Sequence, residues 1–219
     1  MMEIEIKGER LVLLSEKAAY WPKHARLFLS DVHLGKTQHF RKNGLALSSG
    51  AEEQDIQSIK QLVDRLAPKE VYILGDLFHS DLNSEWPLFQ AFISEYPETQ
   101  FLLVPGNHDV LDHSVYKNSN LQVCASQHFC EPFTLIHELP ENPEKEAFYF
   151  YGHIHPGVVL KGKGRQIMRL PAFYLGKNYL LLPAFGRLTG LHVPKVSKSV
   201  TVYAASTESV FEVPLAGRG

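Results

Sequence analysis

The chain has 219 residues, a length that fits one sizeable domain, and its formal net charge of −2 excludes an overall cationic surface for nucleic acid. Hydrophobic residues make up 44% of the chain, an ordinary value for a globular protein. No run approaches the ~20 apolar residues of a membrane span, so we expect a soluble protein with no membrane partner and only local attraction to phosphate.

The first residues, MMEIEIKGER, carry charges where a signal peptide needs an apolar run. The two cysteines, Cys124 and Cys130, have neither the framework of disulfides nor the spacing of a zinc site, and are typical of reduced thiols. No linker or change in composition divides the sequence. We therefore expect a single domain over residues 1–219 and a cytoplasmic location.

Short apolar runs, each ended by a turn signal, recur along the chain and predict β-strands. In chain order the predicted strands are Leu11–Leu14, Leu27–Leu29, Val71–Leu74, Phe101–Val104, Thr134–Ile136, Phe148–Tyr151 and Tyr179–Leu182. Glu52–Leu66 has one apolar face and precedes Pro68, which predicts a helix, and a shorter helix is predicted over Leu88–Tyr96. The first half is thus β-α-β-α-β, the pattern of a sheet covered by helices.

The second half is richer in strands, and the tetrapeptide Leu-Pro-Ala-Phe occurs in it twice, at Leu170–Phe173 and Leu182–Phe185. We interpret the two copies as strand ends of a meander.

Polar side chains follow five of the predicted strands, at the point where ligands bind in open α/β sheets. They are Asp31 and His33; Asp76 and His79; Asn107, His108 and Asp109; His137; and His153 and His155. Carboxylates, amides and imidazoles are ligands of hard or borderline divalent metals. The i, i+2 spacing of Asp31/His33 and of His153/His155 predicts that each pair lies on one side of an extended segment.

Each motif alone is a weak signal, because a lone histidine is more often structural than a ligand. Six of the 11 histidines nevertheless belong to one ordered series: D-x-H, G-D-x-x-H, G-N-H-D, H and G-H-x-H. Such a series is hard to reach by chance, and it indicates a metal site.

The series resembles the signature of the calcineurin-like metallophosphoesterase superfamily, and GDLFH (Gly75–His79) is similar to the form found in its nucleases. With the flanking stretches LVLLSEKAAYWP, LFLSDVHLGKTQHFRKNGL and LPAFGRLTG, nearly the whole chain resembles the DNA-ligase-associated metallophosphoesterases. These bacterial proteins are described as DNA-damage-response endonucleases. Their genes accompany a DNA ligase and a large helicase-like protein, which are therefore expected partners. In one departure, Glu138 follows His137, whereas many relatives carry this histidine in a Gly-His pair.

The resemblance implies an α/β fold: a four-layer α-β-β-α sandwich with two mixed β-sheets, helices outside and metals at the strand ends. It also implies two divalent metal ions. Asp31, His33 and His155 would bind one ion, Asn107, His137 and His153 the other, and Asp76 would bridge them. We expect manganese, with iron, zinc or magnesium as alternatives.

The implied activity is that of a phosphodiesterase, in which two ions share the attacking hydroxide and clamp the phosphate. His108 would face the phosphate and either protonate the leaving oxygen or stabilise its charge, and Asp109 would hold the His108 ring and favour its protonated form. His79 is expected either to contact the substrate phosphate or to support the ligands, and a purely structural histidine at the start of a helix is the third alternative. The expected substrate is DNA, ahead of RNA, in a repair context.

Basic residues beside the motifs are candidates for contact with the nucleic-acid backbone. Lys36 and Arg41, close to the Asp31 motif, are the favoured pair. The segment KGKGR, residues 161–165, is either a solvated hairpin turn or a rim of the cleft. Phe40 and Trp86 could stack on bases, but core packing is the preferred interpretation for both.

Three other classes of protein stay open as alternatives. A phosphomonoesterase or protein phosphatase usually carries arginines in the second and third motifs, and GDLFHS and GNHDVL have none. A lipid-precursor pyrophosphatase usually has a membrane-facing insertion, for which Val110–Leu135 is short. A non-catalytic scaffold would have lost ligands, whereas here the set is intact.

Overall fold

Two mixed β-sheets form the centre of the structure, a computed structural model that describes residues 1–36, 51–78, 86–109, 113–117, 119–162, 166–195, 197 and 199–214. The first sheet contains, in spatial order, β1 (Met2–Ile6), β2 (Glu9–Leu13), β3 (Ala19–Trp21), β4 (Arg26–Leu29), β5 (Glu70–Leu74), β6 (Gln100–Val104) and β7 (Leu121–Val123). Strands β4 to β7 are parallel, so their carboxyl ends meet at one edge.

The second sheet is built from the C-terminal half of the chain. Its strands are β8 (Gln127–Cys130), β9 (Phe133–Ile136), β10 (Phe148–Tyr151), β11 (Gly157–Lys161), β12 (Ile167–Leu175), β13 (Tyr179–Leu181), β14 (Thr201–Ala205) and β15 (Val210–Val213). Their spatial order is β15-β14-β12-β13-β10-β9-β8, and β11 pairs with β12 alone.

Two α-helices lie among the described residues: α1 (Ala51–Leu66) and α2 (Trp86–Ser94). The predicted apolar face of α1 is confirmed, because Ile59, Leu62 and Val63 are buried against the first sheet. Helix α2 begins and ends two residues earlier than predicted. No helix in the described ranges is long and apolar enough to cross a membrane.

Central strands of the first sheet are buried on both faces, which explains their unbroken apolar runs. In β4, Leu27 and Leu29 pack under the helices, whereas Phe28 points into the core between the two sheets. The predicted α/β architecture with two mixed sheets is confirmed. Both described helices cover the first sheet; in the described part of the chain, the outer face of the second sheet is covered by β11 and loops, through residues such as Val158, Ile154 and Leu139.

The tetrapeptide repeat differs from its interpretation as two strand ends. Leu170–Phe173 lies inside β12, which continues to Leu175, and only Leu182–Phe185 follows the end of a strand. The core interpretation of Trp86 is confirmed, because its ring packs edge-on against Phe78 and Tyr116. Phe40 lies outside the described residues.

Candidate metal centre

The strand ends of both sheets bring the predicted ligands together at one edge of the molecule. The first group joins Asp31 and His33, after β4, to His155, after β10. The second joins Asp76, after β5, to His137, after β9, and His153, after β10. Within each group the potential ligand atoms lie within 4.8 Å of one another, a spacing that a single metal ion can span.

The first group is deeply placed. Asp31 is fully buried and His33 is 5% exposed. The Nε2 atoms of His33 and His155 are 3.1 Å apart, and Nε2 of His155 lies 3.4 Å from Oδ1 of Asp31. Three ligand atoms thus face a common point.

The second group is centred on His137. Its Nε2 atom lies 3.1 Å from Nδ1 of His153 and 3.0 Å from Oδ1 of Asn107. Asn107 therefore stands in the group to which the resemblance assigned it.

Asp76 lies between the two groups. Its Oδ2 atom is 3.7 Å from Nε2 of His33, and its Oδ1 atom is 3.5 Å from Nε2 of His137. Oδ1 also accepts a hydrogen bond from the backbone amide of His108, at 2.9 Å. One oxygen of a single carboxylate therefore faces each group, as a bridging ligand requires.

The backbone at these residues is not extended, and the i, i+2 prediction is wrong in this respect. The φ angles of Asp31, His33, Asp76, His153 and His155 are positive, between 51° and 68°. With this geometry, Asp31 and His33 stay in one group, whereas His153 and His155 enter different groups, as the resemblance implied. A left-handed conformation costs roughly 1–2 kcal/mol for an ordinary residue, and such strain tends to lie at functional sites.

Two glycines make room for the ligands. A Cβ atom at Gly75, whose φ is +76°, would lie 2.1 Å from Nδ1 of His137. A Cβ atom at Gly152 would lie 1.6 Å from the Ser30 hydroxyl oxygen and 2.3 Å from Oδ2 of Asp31. Both positions therefore exclude any side chain.

The hydrogen bonds of His137 and Asp31 fit metal ligation. Nδ1 of His137 donates to the carbonyl oxygen of Leu74 at 3.0 Å, which leaves the Nε2 lone pair available. Oδ2 of Asp31 accepts the Ser30 hydroxyl and the His153 amide, whereas Oδ1 has no donor of good geometry among the described residues. A buried carboxylate oxygen left in this way suits a cation.

The electrostatics of Asp31 favour its charged form. Burial by itself raises the pKa of the Asp31 carboxyl, but the neighbouring His155 imidazole and Ser30 hydroxyl outweigh burial and lower the pKa below its ordinary value. An oxygen- and imidazole-rich, thiolate-free donor set of this kind suits hard or borderline divalent ions.

His108 and Asp109 have different surroundings. The ring of His108 stands edge-on to that of His33, with 5.6 Å between ring centres. The carboxylate of Asp109 accepts backbone amides on both oxygens, from Leu77 and Gly106 at 2.9 Å and from Phe78 at 3.3 Å. Burial raises the pKa of this carboxyl against the effect of these amides. These contacts indicate that Asp109 joins the second motif to the third. Its expected role in holding the His108 ring stays a prediction.

Of the predicted substrate contacts, the structure describes Lys36. Its side chain is half-buried, and burial lowers its pKa while the nearby charges of Asp31 and Asp76 act in the opposite direction. Both carboxylates therefore act electrostatically on the ammonium. Arg41 and His79 lie outside the described residues.

Several residues of the site were missed from the sequence. Oε1 of Glu138 lies 3.7 Å from Nε2 of His153, on the ring edge opposite His137. Ser30 donates to Asp31. Both directly follow or precede a predicted ligand, and that adjacency was the available signal.

A third feature that the sequence did not reveal is a set of backbone hydrogen bonds from Phe185 and Gly186 to the segment that carries Asp31. The amide of Phe185 donates to Ser30 at 2.7 Å, and that of Gly186 donates to the carbonyl of Asp31 at 3.1 Å. The half-buried Lys17 side chain in turn donates from its ammonium to the carbonyl oxygens of both Phe185 and Gly186. No sequence pattern links Lys17 to a segment so distant along the chain.

Comparison with known proteins gives a consistent result. Residues 26–153 match the model of the calcineurin-like phosphoesterase family. No curated protein matches the chain. The chain is similar to the Pseudomonas putida nuclease MPE, with 29% identity, a TM-score of 0.79, and coverage of 97% of this chain and 99% of that one.

A more distant likeness is found to the phosphoesterase YfcE of Escherichia coli, with 16% identity, a TM-score of 0.47, and coverage of 86% of this chain and 97% of that one. The family match includes more than half of the sequence and four of the five ligand-bearing strand ends in full. The chain therefore belongs to the calcineurin-like phosphoesterase family and is a metal-dependent phosphoester hydrolase.

Proposed function

We propose that this protein is a nuclease, a phosphodiesterase with two metal ions that cleaves DNA in a repair context. The observation that carries the proposal is Asp76, whose two carboxylate oxygens face the two ligand groups. The similarity to a nuclease over 97% of the chain supports a nucleic-acid substrate.

Asp31, His33 and His155 would hold one ion, Asn107, His137 and His153 the other, and Asp76 would contact both. Divalent ions held there would supply positive charge for the phosphate and lower the pKa of water. We propose manganese as the native ion, because the ligands are oxygen and imidazole nitrogen without thiolate.

The chain's own residues position the substrate and move the proton. His108, next to His33, would donate a proton to the leaving oxygen. Lys36, whose ammonium feels the charges of Asp31 and Asp76, would contact a phosphate oxygen that is not cleaved. Arg41 and His79 remain proposed substrate contacts. We expect His108→Ala to keep its metal and lose most of its turnover, and a parallel loss of metal would contradict this role.

The cellular setting is also a proposal. Cys124 and Cys130 are free thiols, which suits the cytoplasm. A DNA ligase and a helicase-like protein are proposed to act in the same pathway.

The direct test is cleavage of covalently closed circular DNA with manganese, beside end-labelled linear single strands and a small chromogenic phosphodiester. Asp76→Asn is the control for the metal centre. We expect the wild type, and not the variant, to nick circles. Hydrolysis of the small diester alone would contradict a polymer substrate, and preference for a phosphomonoester would point to a phosphatase.

A further inference from the structure

The hairpin of β11 and β12 starts at the metal centre. Gly157 follows His155 by two residues, and its amide donates to the carbonyl of His192 at 2.7 Å. The amide of His192 in turn donates to the carbonyl of His155 at 3.0 Å. The base of the hairpin is therefore fixed beside a predicted ligand.

The strand register makes the hairpin project beyond the ligand edge. Tyr151, the last residue of β10, is level with Leu181, which pairs with Tyr174 of β12. Because β12 runs antiparallel to β13, its N-terminal end points toward the ligand edge. Ile167 stands seven residues beyond Tyr174, or ~23 Å at ~3.3 Å per residue. Residues 167–171 of β12 pair with β11 alone.

The alternation of side chains along β12 determines which residues of the hairpin lie on the same face as the inner side of the second sheet. Phe173 of β12 lies in the core between the sheets, whereas Tyr174 and Ala172 lie on the outer face. Because side chains alternate along a strand, Arg169 and Ile167 share the side of Phe173. Lys161, directly opposite Ile167, shares this side as well. This face continues the inner face of the second sheet past the metal centre.

The projecting face is cationic. The described parts of the hairpin, residues 157–162 and 166–171, contain Lys161 and Arg169 and no Asp or Glu, in a chain with a net charge of −2. Lys161 and Arg169 are exposed, and neither forms an ion pair with any residue that the structure describes. As diagonal neighbours across the two strands, they stand roughly 7 Å apart. Two such cations repel each other unless an anion lies between them.

We propose that this hairpin is an arm that binds the phosphate backbone of the nucleic acid beside the scissile bond, through Lys161 and Arg169. The inference rests on the proposed nuclease function and adds a surface to it. A backbone that runs across the ligand edge passes the inner face of the arm, and its phosphates match the two cations in charge. A small diester that fills only the metal centre does not reach Arg169, five residues beyond the level of Tyr174.

The test is the double variant Lys161→Gln/Arg169→Gln, with Lys177→Gln as the matched control. Lys177 is an exposed lysine that follows the other end of β12, away from the ligand edge. For each protein we would measure the KM for circular DNA over a range of salt concentrations, and kcat/KM for the small chromogenic diester.

We expect the double variant to raise the KM for DNA on the order of tenfold at ~0.1 M salt, and to reduce the slope of log affinity against log salt by about 2. The same variant should hydrolyse the small diester within about twofold of the wild-type rate, because the metal centre is untouched.

Three results would contradict the proposed role of the hairpin in binding phosphate. DNA affinity and salt slope equal to those of Lys177→Gln would exclude phosphate contacts by this face and leave an acidic protein as its ligand. A parallel loss on both substrates would make the hairpin a support of the metal centre. If the wild type hydrolyses the small diester and does not bind DNA, the proposed function fails, and the arm fails with it. The first two results would leave the proposed function standing.

Discussion

The imidazole of His137 donates from Nδ1 to the carbonyl oxygen of Leu74, the last residue of β5, across 3.0 Å. This bond ties the end of a strand in the second sheet to the end of a strand in the first. It also fixes the tautomer, because a carbonyl only accepts, and so Nε2 is left to bind a metal.

His137→Ala is therefore expected to retain about half of the metal that the wild type binds, since only the second ligand group loses its central imidazole. Metal content per chain, measured by atomic emission, checks this. His128→Ala, a change on β8 of the same sheet, is the control and should bind as much metal as the wild type. Unchanged metal content in His137→Ala would contradict the assignment.

Gly152→Ala is expected to lower the stability by about 2 kcal/mol and to abolish diester hydrolysis, because its Cβ would overlap Ser30 and Asp31. Urea unfolding and the hydrolysis rate measure the two effects. Gly190→Ala is the matched control, because a Cβ there meets nothing within 4 Å. If both variants behave like the wild type, the result would contradict the close packing of Gly152 against Ser30 and Asp31.

Asp109→Ala is expected to destabilise the protein by about 3 kcal/mol, because three backbone amides lose a charged acceptor. Asp109→Asn keeps one acceptor oxygen and should lose roughly half as much. Urea unfolding distinguishes this role from the one first expected. A variant that is fully stable and has normal metal content, but is as slow as His108→Ala, would contradict the structural role and support the orienting role toward His108.

Lys17 gives a dependence of stability on pH. Burial lowers its pKa from 10.5 to about 8, with Asp55 acting to raise it and Arg187 to lower it. Between these two values the unfolded chain holds a proton that the folded chain has released, so raising the pH favours the folded state. The wild type should therefore gain up to about 3 kcal/mol relative to Lys17→Met between pH 8 and 10.5.

Paired urea titrations at both pH values provide the measurement for Lys17. Lys177→Met, at an exposed position, is the control and should show no such change. A constant difference between wild type and Lys17→Met would mean that the ammonium is not buried in the folded protein.

The sequence indicated the candidate ligands because carboxylates and imidazoles directly follow strands: Asp31 after β4, Asp76 after β5 and His153 after β10. It predicted α1 because one face of the helix is apolar throughout. The i, i+2 spacing did not predict that His153 and His155 separate into two groups, because a left-handed φ at non-glycine residues has no sequence signal; only the family resemblance placed the two histidines with different ions.

Contacts between segments that are distant along the chain could not be predicted from the sequence either. Lys17 and Phe185 are 168 positions apart, and only the packing of the two sheets brings them together. The projection of β12 past the ligand edge follows from the pairing of Tyr174 with Leu181, which no local pattern specifies. The apolar runs predicted that strands exist, but not their register.

The two ligand groups each draw on both sheets, since Asp31 and Asp76 follow strands of the first and His137, His153 and His155 follow strands of the second. Neither half of the chain carries a complete set. A nascent or partly folded chain therefore has no complete metal centre, and phosphoester hydrolysis becomes possible only after the two sheets have docked. In this arrangement, the chain becomes active only when its fold is complete.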